Sequence, residues 1–418
     1  MNTTDKTANV LASTGRFPGE ACPPGASSRR RAAKGPGSLV VRSGARAVLS
    51  LAAAALAAIG PAPSARAQGP FDWEAANGSV TITGFAGVGP GSATIPSTID
   101  GLPVTAIGFG VFRGSLLTSV TIPDSIITIG DYAFDGCANL TQVSIPDSVT
   151  SIGAVAFSLC GLTSITFPNS ITNLGADALA GCGYLTNVTL PDNITGLAAG
   201  VSRDCQNLPG ITLPSSLTSI GYAAFYGCQS LTNITIPSGV TNLVDLAFWG
   251  CWSLTNVALP NSLATIGSGA FDWCRALTSI TIPGSVTILG SNAFTACYNL
   301  ANVFFEGDAP SADSSVFSED NYATVYYLPG SKGWGATFAG RPAVLWNPGV
   351  VSPGVRDGRL SFDITGGTNL PVVVEASTNL AGGAWVPVQS GSLTNGLLHF
   401  SDPQPANYPA RFYRLRWP

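Results

Sequence analysis

The feature that most constrains this chain is a stretch written out about nine times, clearest from Ser230 to Trp252 as SLTNITIPSGVTNLVDLAFWGCW. A proline recurs at Pro96, Pro123, Pro146, Pro168, Pro191, Pro214, Pro237, Pro260 and Pro283, and from Pro168 onward the step is 23 residues every time. Phe112, Phe134, Phe157, Phe225, Phe248, Phe271 and Phe294 form a second column. Three residues after that place stands Cys137, Cys160, Cys228, Cys251, Cys274 or Cys297, with Cys182 and Cys205 in the two copies that lack the phenylalanine. A fixed period in this range specifies a solenoid, in which each unit buries its apolar side only against its neighbours.

Within one copy, Leu231, Ile234 and Ile236 alternate with Asn233 and Thr235, the pattern of a strand with one face inward. Pro237 ends that strand, because it has no N–H for a ladder and a fixed φ. Val240 and Leu243 return to the core along a second side, and Leu246 to Cys251 supply a third, packed by Phe248 and closed at Gly250. Coils of this kind stack parallel strands about 4.8 Å apart. The expectation is therefore an all-β-dominated chain whose residues 94–305 form a parallel β-solenoid of about nine rungs. Phe134, Phe157, Phe225, Phe248, Phe271 and Phe294 should share one buried column. One copy departs from the pattern: in GLAAGVSRDCQ the phenylalanine place falls on Ser202. Loss of a buried Phe costs about 3–5 kcal/mol, so this turn is expected to be the softest of the array.

The pattern L-T-x-I-x-I-P-x-x-V-T-x-I-G-x-x-A-F-x-G-C resembles the BspA-type leucine-rich repeat of bacterial surface proteins, over about half the chain. The resemblance implies a curved leucine-rich repeat solenoid with a role in adhesion or protein binding. It brings no catalytic residues to carry over.

The flanks divide the rest. In residues 1–67, Arg42 and Arg46 precede the apolar run Ala47 to Ile59, followed by Pro61, Pro63 and Ala65-Arg66-Ala67. That is the charged, apolar, A-x-A order of a secretory signal, so cleavage near Ala67 and a secreted or surface-exposed product are expected. The run is shorter than the roughly 20 residues of a membrane span, and none is expected after cleavage. Residues 68–93 read as a hairpin capping the first rung, and residues 306–348 as a C-terminal cap with a degenerate repeat around Phe317 and Tyr326-Tyr327. Pro348 to Pro353 read as a turn-rich linker. Alternating segments at Leu360–Ile364, Val372–Ala376, Trp385–Val388, Leu397–Phe400 and Arg411–Arg416 make residues 349–418 a small β-sandwich-like domain. Its ending, Phe412 to Trp417, reads either as a sorting signal or as an amphipathic edge strand.

Charge and chemistry narrow the function. Charged residues are 10% of the chain, against about 25% in an average soluble domain. Residues 1–67 hold nine of the Lys and Arg but only Asp5 and Glu20, which leaves 10 basic against 21 acidic residues beyond them, a net charge near -11. Residues 94–305 offer only Arg113, Arg203 and Arg275 as cations. Nucleic acid, whose phosphates need clustered Lys and Arg, is not an expected partner. His399 is the only histidine, so Ser–His–Asp and Cys–His chemistry has no base within the array. No catalytic constellation, cofactor or metal site is expected. One cysteine per 23 residues is not metal-ligand spacing. Stacked side chains about 4.8 Å apart exceed the roughly 3.8 Å Cβ separation of a disulfide. Cys137, Cys160, Cys182, Cys205, Cys228, Cys251, Cys274 and Cys297 are thus read as buried free thiols. Ser115, at the same place in the first rung, is read as a small filler without a bonding partner.

Two candidate ligand surfaces remain. Outward strand positions form ranks such as Thr121, Ser144, Thr166, Thr189, Thr212, Thr235, Ala258 and Thr281. Such ranks serve solvation, glycan hydroxyls or, as a remote alternative, an ice lattice. Residues flanking Phe and Cys turn aromatic late in the array, at Tyr226, Trp249, Trp252, Trp273 and Tyr298, with Arg275 among them. These rings read either as a ligand platform or as packing over turns and against the cap. The leading reading is a non-enzymatic, secreted or surface binding protein with a protein or glycan partner. The alternatives are a structural spacer of an extracellular layer and an accessory part of a polysaccharide-binding system.

Overall fold

The computed structural model describes residues 66–87, 89–357, 359–379, 384–403 and 411–416. The described residues form no helix; they build a parallel β-solenoid of about 11 turns followed by a small domain of antiparallel sheets. Two turns, carrying strands Asn302–Phe305 and Thr324–Tyr327, extend the array past the nine that the prolines mark. Most of residues 1–67, including the signal-like run, lies outside the described residues.

Most turns have two short strands and a third side built from turns; the outer strand is missing at residues 141–146 and again at 210–213. The outer ladder pairs Ser164–Thr166 with Asn187–Thr189, and Asn233–Thr235 with Asn256–Ala258, always in parallel with identical register. The second ladder runs through Gly196–Leu197, Ser219–Ile220, Asn242–Leu243, Thr265–Ile266 and Ile288–Leu289. On the same side before that, the antiparallel hairpin Phe71–Ala76 and Ser79–Phe85 joins, through Leu102–Ile107, a separate sheet of Thr128–Ile129, Ser151–Ile152 and Asn173–Leu174. Ala67 lies in strand Arg66–Gln68, which pairs with Phe71–Ala76, so cleavage there would remove most of that edge strand. The third side has no strands, yet its alternate amides bond to the next turn: Tyr132 to Ala154, Phe134 to Ala156 and Gly136 to Ser158, at 2.7–2.9 Å.

The phenylalanines stack into two runs. Phe112, Phe134 and Phe157 have centroids 4.9 and 5.1 Å apart; Phe225, Phe248, Phe271, Phe294 and Phe317 continue at 5.4–5.6 Å. Leu179 and Ser202 hold the column between them, both buried. The cysteines have a role that spacing alone did not reveal. Each thiol donates to the backbone carbonyl at the phenylalanine position of the preceding turn, as Cys228 does to Ser202 and Cys251 to Phe225, at 3.0–3.4 Å throughout. Ser115 is not an idle filler: its hydroxyl accepts from the Leu117 N–H at 3.3 Å.

The turn of Ser202 differs at four places, not one. Where other turns have glycine after the second strand, a Cβ would sit 2.4 Å from the backbone below at Gly175 and 2.6 Å at Gly221. Ala198 carries that Cβ, and the ladder between Asn173–Leu174 and Gly196–Leu197 is missing. Pro209 stands where other turns have threonine and has no amide to donate; with Gly210 beside it, the outer ladder has no strand at residues 210–213. The Ser202 hydroxyl is buried without a partner.

At the far end, Phe304 and Tyr326 replace the small outward residues of earlier turns. They are buried against Phe362, Ile364, Leu370, Val372, Val374, Leu393 and Phe400 of the C-terminal domain. That domain holds two three-stranded sheets, one of Gly349–Arg356, Arg359–Thr365 and Leu397–Ser401, the other of Val386–Ser392, Pro371–Ser377 and Phe412–Arg416. The stretch from Pro348 to Pro353 is therefore no linker. It enters the first strand of the domain, and Pro353 falls where the register shifts between Val351 and Gly354, a place on an edge strand that tolerates a missing N–H. Phe412–Arg416 is an edge strand, with Arg414 and Arg416 each bonded to the buried Glu375, at 2.8 and 2.7 Å. Burial raises the Glu375 carboxyl, but the two guanidinium groups outweigh it and hold the group below its ordinary value.

Two predictions follow the columns. Burial pushes the thiols of Cys205, Cys228, Cys251, Cys274 and Cys297 far above their ordinary range, so these five should resist alkylation in the folded array. Denatured without reductant, it should yield a label at all eight array cysteines by mass measurement. Four or more blocked thiols would overturn the free-thiol assignment. In the turn after Cys297 the cysteine place is taken by Asp320, fully buried with both carboxylate oxygens lacking a hydrogen-bond partner of acceptable geometry. Burial pushes this group up to about 7, only partly offset by the Cys297 amide and Arg341, with Asp272 and Glu319 adding to the rise. A folded-state value above the unfolded one means the contribution is fully present below the unfolded value near 4 and is lost as pH rises through 7. The thermal midpoint should thus climb as buffer goes from pH 8 to pH 5. Asp320→Asn should raise the midpoint at pH 8 by a few degrees and flatten that slope; an unchanged slope would refute the assignment.

Candidate functional site

The corner between the third side and the outer strand carries the late aromatic residues. It is positioned by the buried Phe and Cys columns, since every candidate stands one or two residues from a member of them. Tyr226 and Trp249, each following a stacked Phe, lie face to face at 4.4 Å with an interplanar angle of 9°. The next member of that column is Asp272, whose Oδ2 accepts from the Trp249 indole N–H at 3.0 Å. Trp273 is tilted against Trp249 at 6.3 Å and meets Tyr298 edge-on at 6.4 Å. The Arg275 guanidinium lies over Trp273 at 4.4 Å and over Trp252 at 4.9 Å, with Tyr298 at 6.0 Å.

The six candidates therefore come together, but not with equal exposure. Trp252 and Tyr298 are 39% and 40% exposed, while Tyr226, Trp249, Trp273 and Arg275 are half-buried by one another. The first two supply ring faces to solvent, and the other four supply the bed that holds them. Trp273 has φ +63° at the place where Gly136, Gly181, Gly227 and Gly250 sit at about +70°. A bulky side chain in the left-handed region costs free energy that glycine avoids. The local stacking has to offset that cost.

Two polar residues belong to the site that the spacing did not single out. Asp272 is desolvated beneath the rings, which pushes its carboxyl up to about 6 against the pull of the Trp249 and Trp273 N–H groups. Its Oδ1 and the Nε of Arg275 are both buried without a hydrogen-bond partner. Glu319 accepts from the Tyr298 hydroxyl at 2.9 Å. The signal for both was present in the repeat: Asp272 stands where Tyr226 and Trp249 do, and Glu319 where Trp273 does. With one guanidinium between two carboxyls, the corner carries a small net negative charge at neutral pH.

The other candidates resolve as follows. Thr121, Ser144, Thr166, Thr189, Thr212, Thr235 and Ala258 are exposed along the outer side, and Thr281 is half-buried. Other exposed hydroxyls are engaged along the array, as Thr186, Thr232 and Thr255 donate to carbonyls of the preceding turn at 3.0–3.1 Å. His399 pairs with Asp363 at 2.7 Å across two strands of the C-terminal domain and is half exposed. No serine, threonine or cysteine is hydrogen-bonded to its ring among the described residues. No cluster of three or more metal-ligating side chains occurs among them either, and no helix there is long and apolar enough to cross a membrane.

A model of the BspA type leucine rich repeat region, in six copies, matches residues 105–206 and 200–324 of this chain. Among solved structures, a Treponema (T. pallidum) leucine rich repeat protein is 29% identical, with 55% of this chain and 88% of that one covered and a TM-score of 0.36. A leucine-rich repeat protein of Bacteroides capillosus is 30% identical, covering 30% of this chain and 97% of that one at a TM-score of 0.27. A leucine rich cell surface protein of Faecalibacterium prausnitzii is 23% identical over 65% and 96%, at 0.37. No curated protein matches this chain.

The division between bed and face is testable by stability. Trp249→Ala removes a stacked ring and leaves neither Asp272 oxygen bonded, so it should destabilise the array by about 2–4 kcal/mol. Trp252→Ala, at the exposed rim, should stay within about 1 kcal/mol. Urea denaturation of the two variants in parallel checks this, and equal losses would contradict it.

Proposed function

The chain belongs to the BspA-type leucine-rich repeat proteins, and from that premise we propose that it is a non-enzymatic binding protein, secreted or displayed at the cell surface, that presents its solenoid to a protein or glycan ligand. The observation that supports this reading is the late aromatic corner, where the Trp252 and Tyr298 rings stay exposed on either side of Arg275, whose guanidinium lies over one face of each. A spacer has no use for ring faces held in water, nor for a strained tryptophan beneath them. Rigid aromatic side chains contribute large contact area and lose little entropy on binding, which makes them effective anchors for either class of ligand. Export rests on the charged, apolar and A-x-A order that ends at Ala67.

The test is a protein array and a glycan array probed with the purified chain, each repeated with the double variant Trp252→Ala, Tyr298→Ala. Saturable binding to at least one ligand, lost in the variant while its circular dichroism and thermal midpoint stay unchanged, is the expected result. An absence of ligands on both arrays, or ligands indifferent to the double substitution, would favour the spacer.

A further inference from the structure

The residue after each cysteine place forms a row that runs along the solenoid, one member per turn. In the early turns it is Ala138, Gly161 and Gly183; then, without a break, it becomes Gln206, Gln229, Trp252, Arg275, Tyr298 and Asn321. All six later side chains end in a planar group: amide, amide, indole, guanidinium, phenol and amide. Gln206, Trp252, Tyr298 and Asn321 are exposed, with Gln229 and Arg275 half-buried between them. The row is pinned at its backbone. Ser230 donates to the Gln206 carbonyl at 3.0 Å, Ser253 to that of Gln229 at 3.1 Å, Ala276 to that of Trp252 at 3.0 Å, and the Asn299 amide to that of Arg275 at 2.7 Å.

We propose that this row is the binding track of a linear, uncharged glycan laid along the solenoid axis; the proposal rests on the reading of the chain as a binding protein and names its ligand class. A pyranose ring has an apolar face of C–H groups and a rim of hydroxyls. The first seats on indole and phenol faces, and the second pairs with amide and guanidinium edges, each of which bonds two neighbouring hydroxyls at once. Trp252 and Tyr298 are two turns apart, roughly 10 Å at the ladder spacing, with the Arg275 fork between them. Six turns span roughly 24 Å, room for several sugar units in extended form.

Charge excludes an acidic polymer as the intended ligand. The row has a single cation of its own, with Arg341 donating to the Asn321 amide oxygen at 3.5 Å at its far end, and the carboxyls of Asp272, Glu319 and Asp320 stand beside these two. Such a surface has no positive field to gather an anionic chain. A protein ligand fits the row less well. Protein interfaces concentrate an apolar, dehydrated centre within a polar rim. Here the apolar faces occupy two of six places in a line and hydrogen-bonding groups hold the rest.

The test is titration calorimetry of the full chain with cello-, manno-, xylo- and chito-oligosaccharides of three and six units, and with heparin as the anionic arm. At least one neutral hexamer should bind, about tenfold or more tighter than its trimer, with little change between low and high salt. Trp252→Ala and Tyr298→Ala should each weaken it about tenfold or more. Tyr184→Ala, at an exposed ring outside the row, should leave it unchanged. Circular dichroism of each variant separates lost binding from lost folding. Hexamer binding that survives both substitutions overturns the track, and binding of heparin alone, or of no neutral oligomer, overturns the ligand class. If a protein ligand is then found whose binding needs Trp252, the broader reading stands and only the glycan falls; if none is found, both fall.

Discussion

Everything in this fold depends on satisfying backbone carbonyls at the corners of a turn. Along the strands, an amide of one turn meets a carbonyl of the next, and the ladder accounts for both. At a corner the chain changes direction, and such an amide no longer falls into place. The repeat answers with small side-chain donors at fixed positions. Ser148, Ser170, Ser262 and Ser285 donate to carbonyls of the preceding turn at 2.6–2.9 Å. Threonines do the same after the leucine that recurs in each repeat, and the cysteines do so from inside the core. The choice of cysteine there is physical. A thiol fills space like a small apolar group, donates weakly, and loses less on leaving water than a hydroxyl would. Asp320 occupies the same place at the end of the array, where only its protonated form can take the donor role.

Because each turn touches only its neighbours, departures from the pattern have local effects. Ala198, Ser202, Pro209 and Gly210 all fall within one turn, and both ladders stop there. Val244 shows the same mechanism in milder form: it too stands at a glycine place, and the pairing beneath it shrinks to the single pair Ile220 and Leu243. A Cβ at that place competes with close approach of the turns, so the weakness is set by one methyl-sized obstruction rather than by low strand propensity. The turn of Ser202 is thereby marked as the boundary between two better-ordered stacks of phenylalanine.

Much of this was legible from the chain. The prolines and phenylalanines gave the period, the strand alternation and the buried column, because each is a backbone or volume requirement that recurs unchanged. What was not legible were requirements expressed through a partner in another turn. The cysteine spacing argued against disulfides and metals, but only stacking reveals that each thiol bonds to a carbonyl one turn back. Pro348 to Pro353 looked like a linker because proline and glycine usually punctuate chains; the bulge at Pro353 lets the strand absorb them. Of the aromatic corner, the rings were visible and the division into bed and face was not. Exposure depends on which neighbour each ring leans on, and Asp272 and Glu319 show their part only once the turns are superposed.

The array separates two kinds of position, and that separation is what lets one scaffold carry a site. Buried columns tolerate little, since any change propagates to a stacked neighbour. The places beside them are free, and they change character along the chain, from Ala138, Gly161 and Gly183 to Trp252, Arg275 and Tyr298. The change begins at Gln206, in the same turn that carries Ser202 and Pro209. Beyond it the phenylalanine column is uninterrupted from Phe225 to Phe317. Planar side chains can act together only if their spacing is fixed, and that spacing is inherited from the column beneath them. The proposed track thus stands over the stretch where the phenylalanine column is uninterrupted. The irregular turn lies at its margin, where a break in register costs the row least.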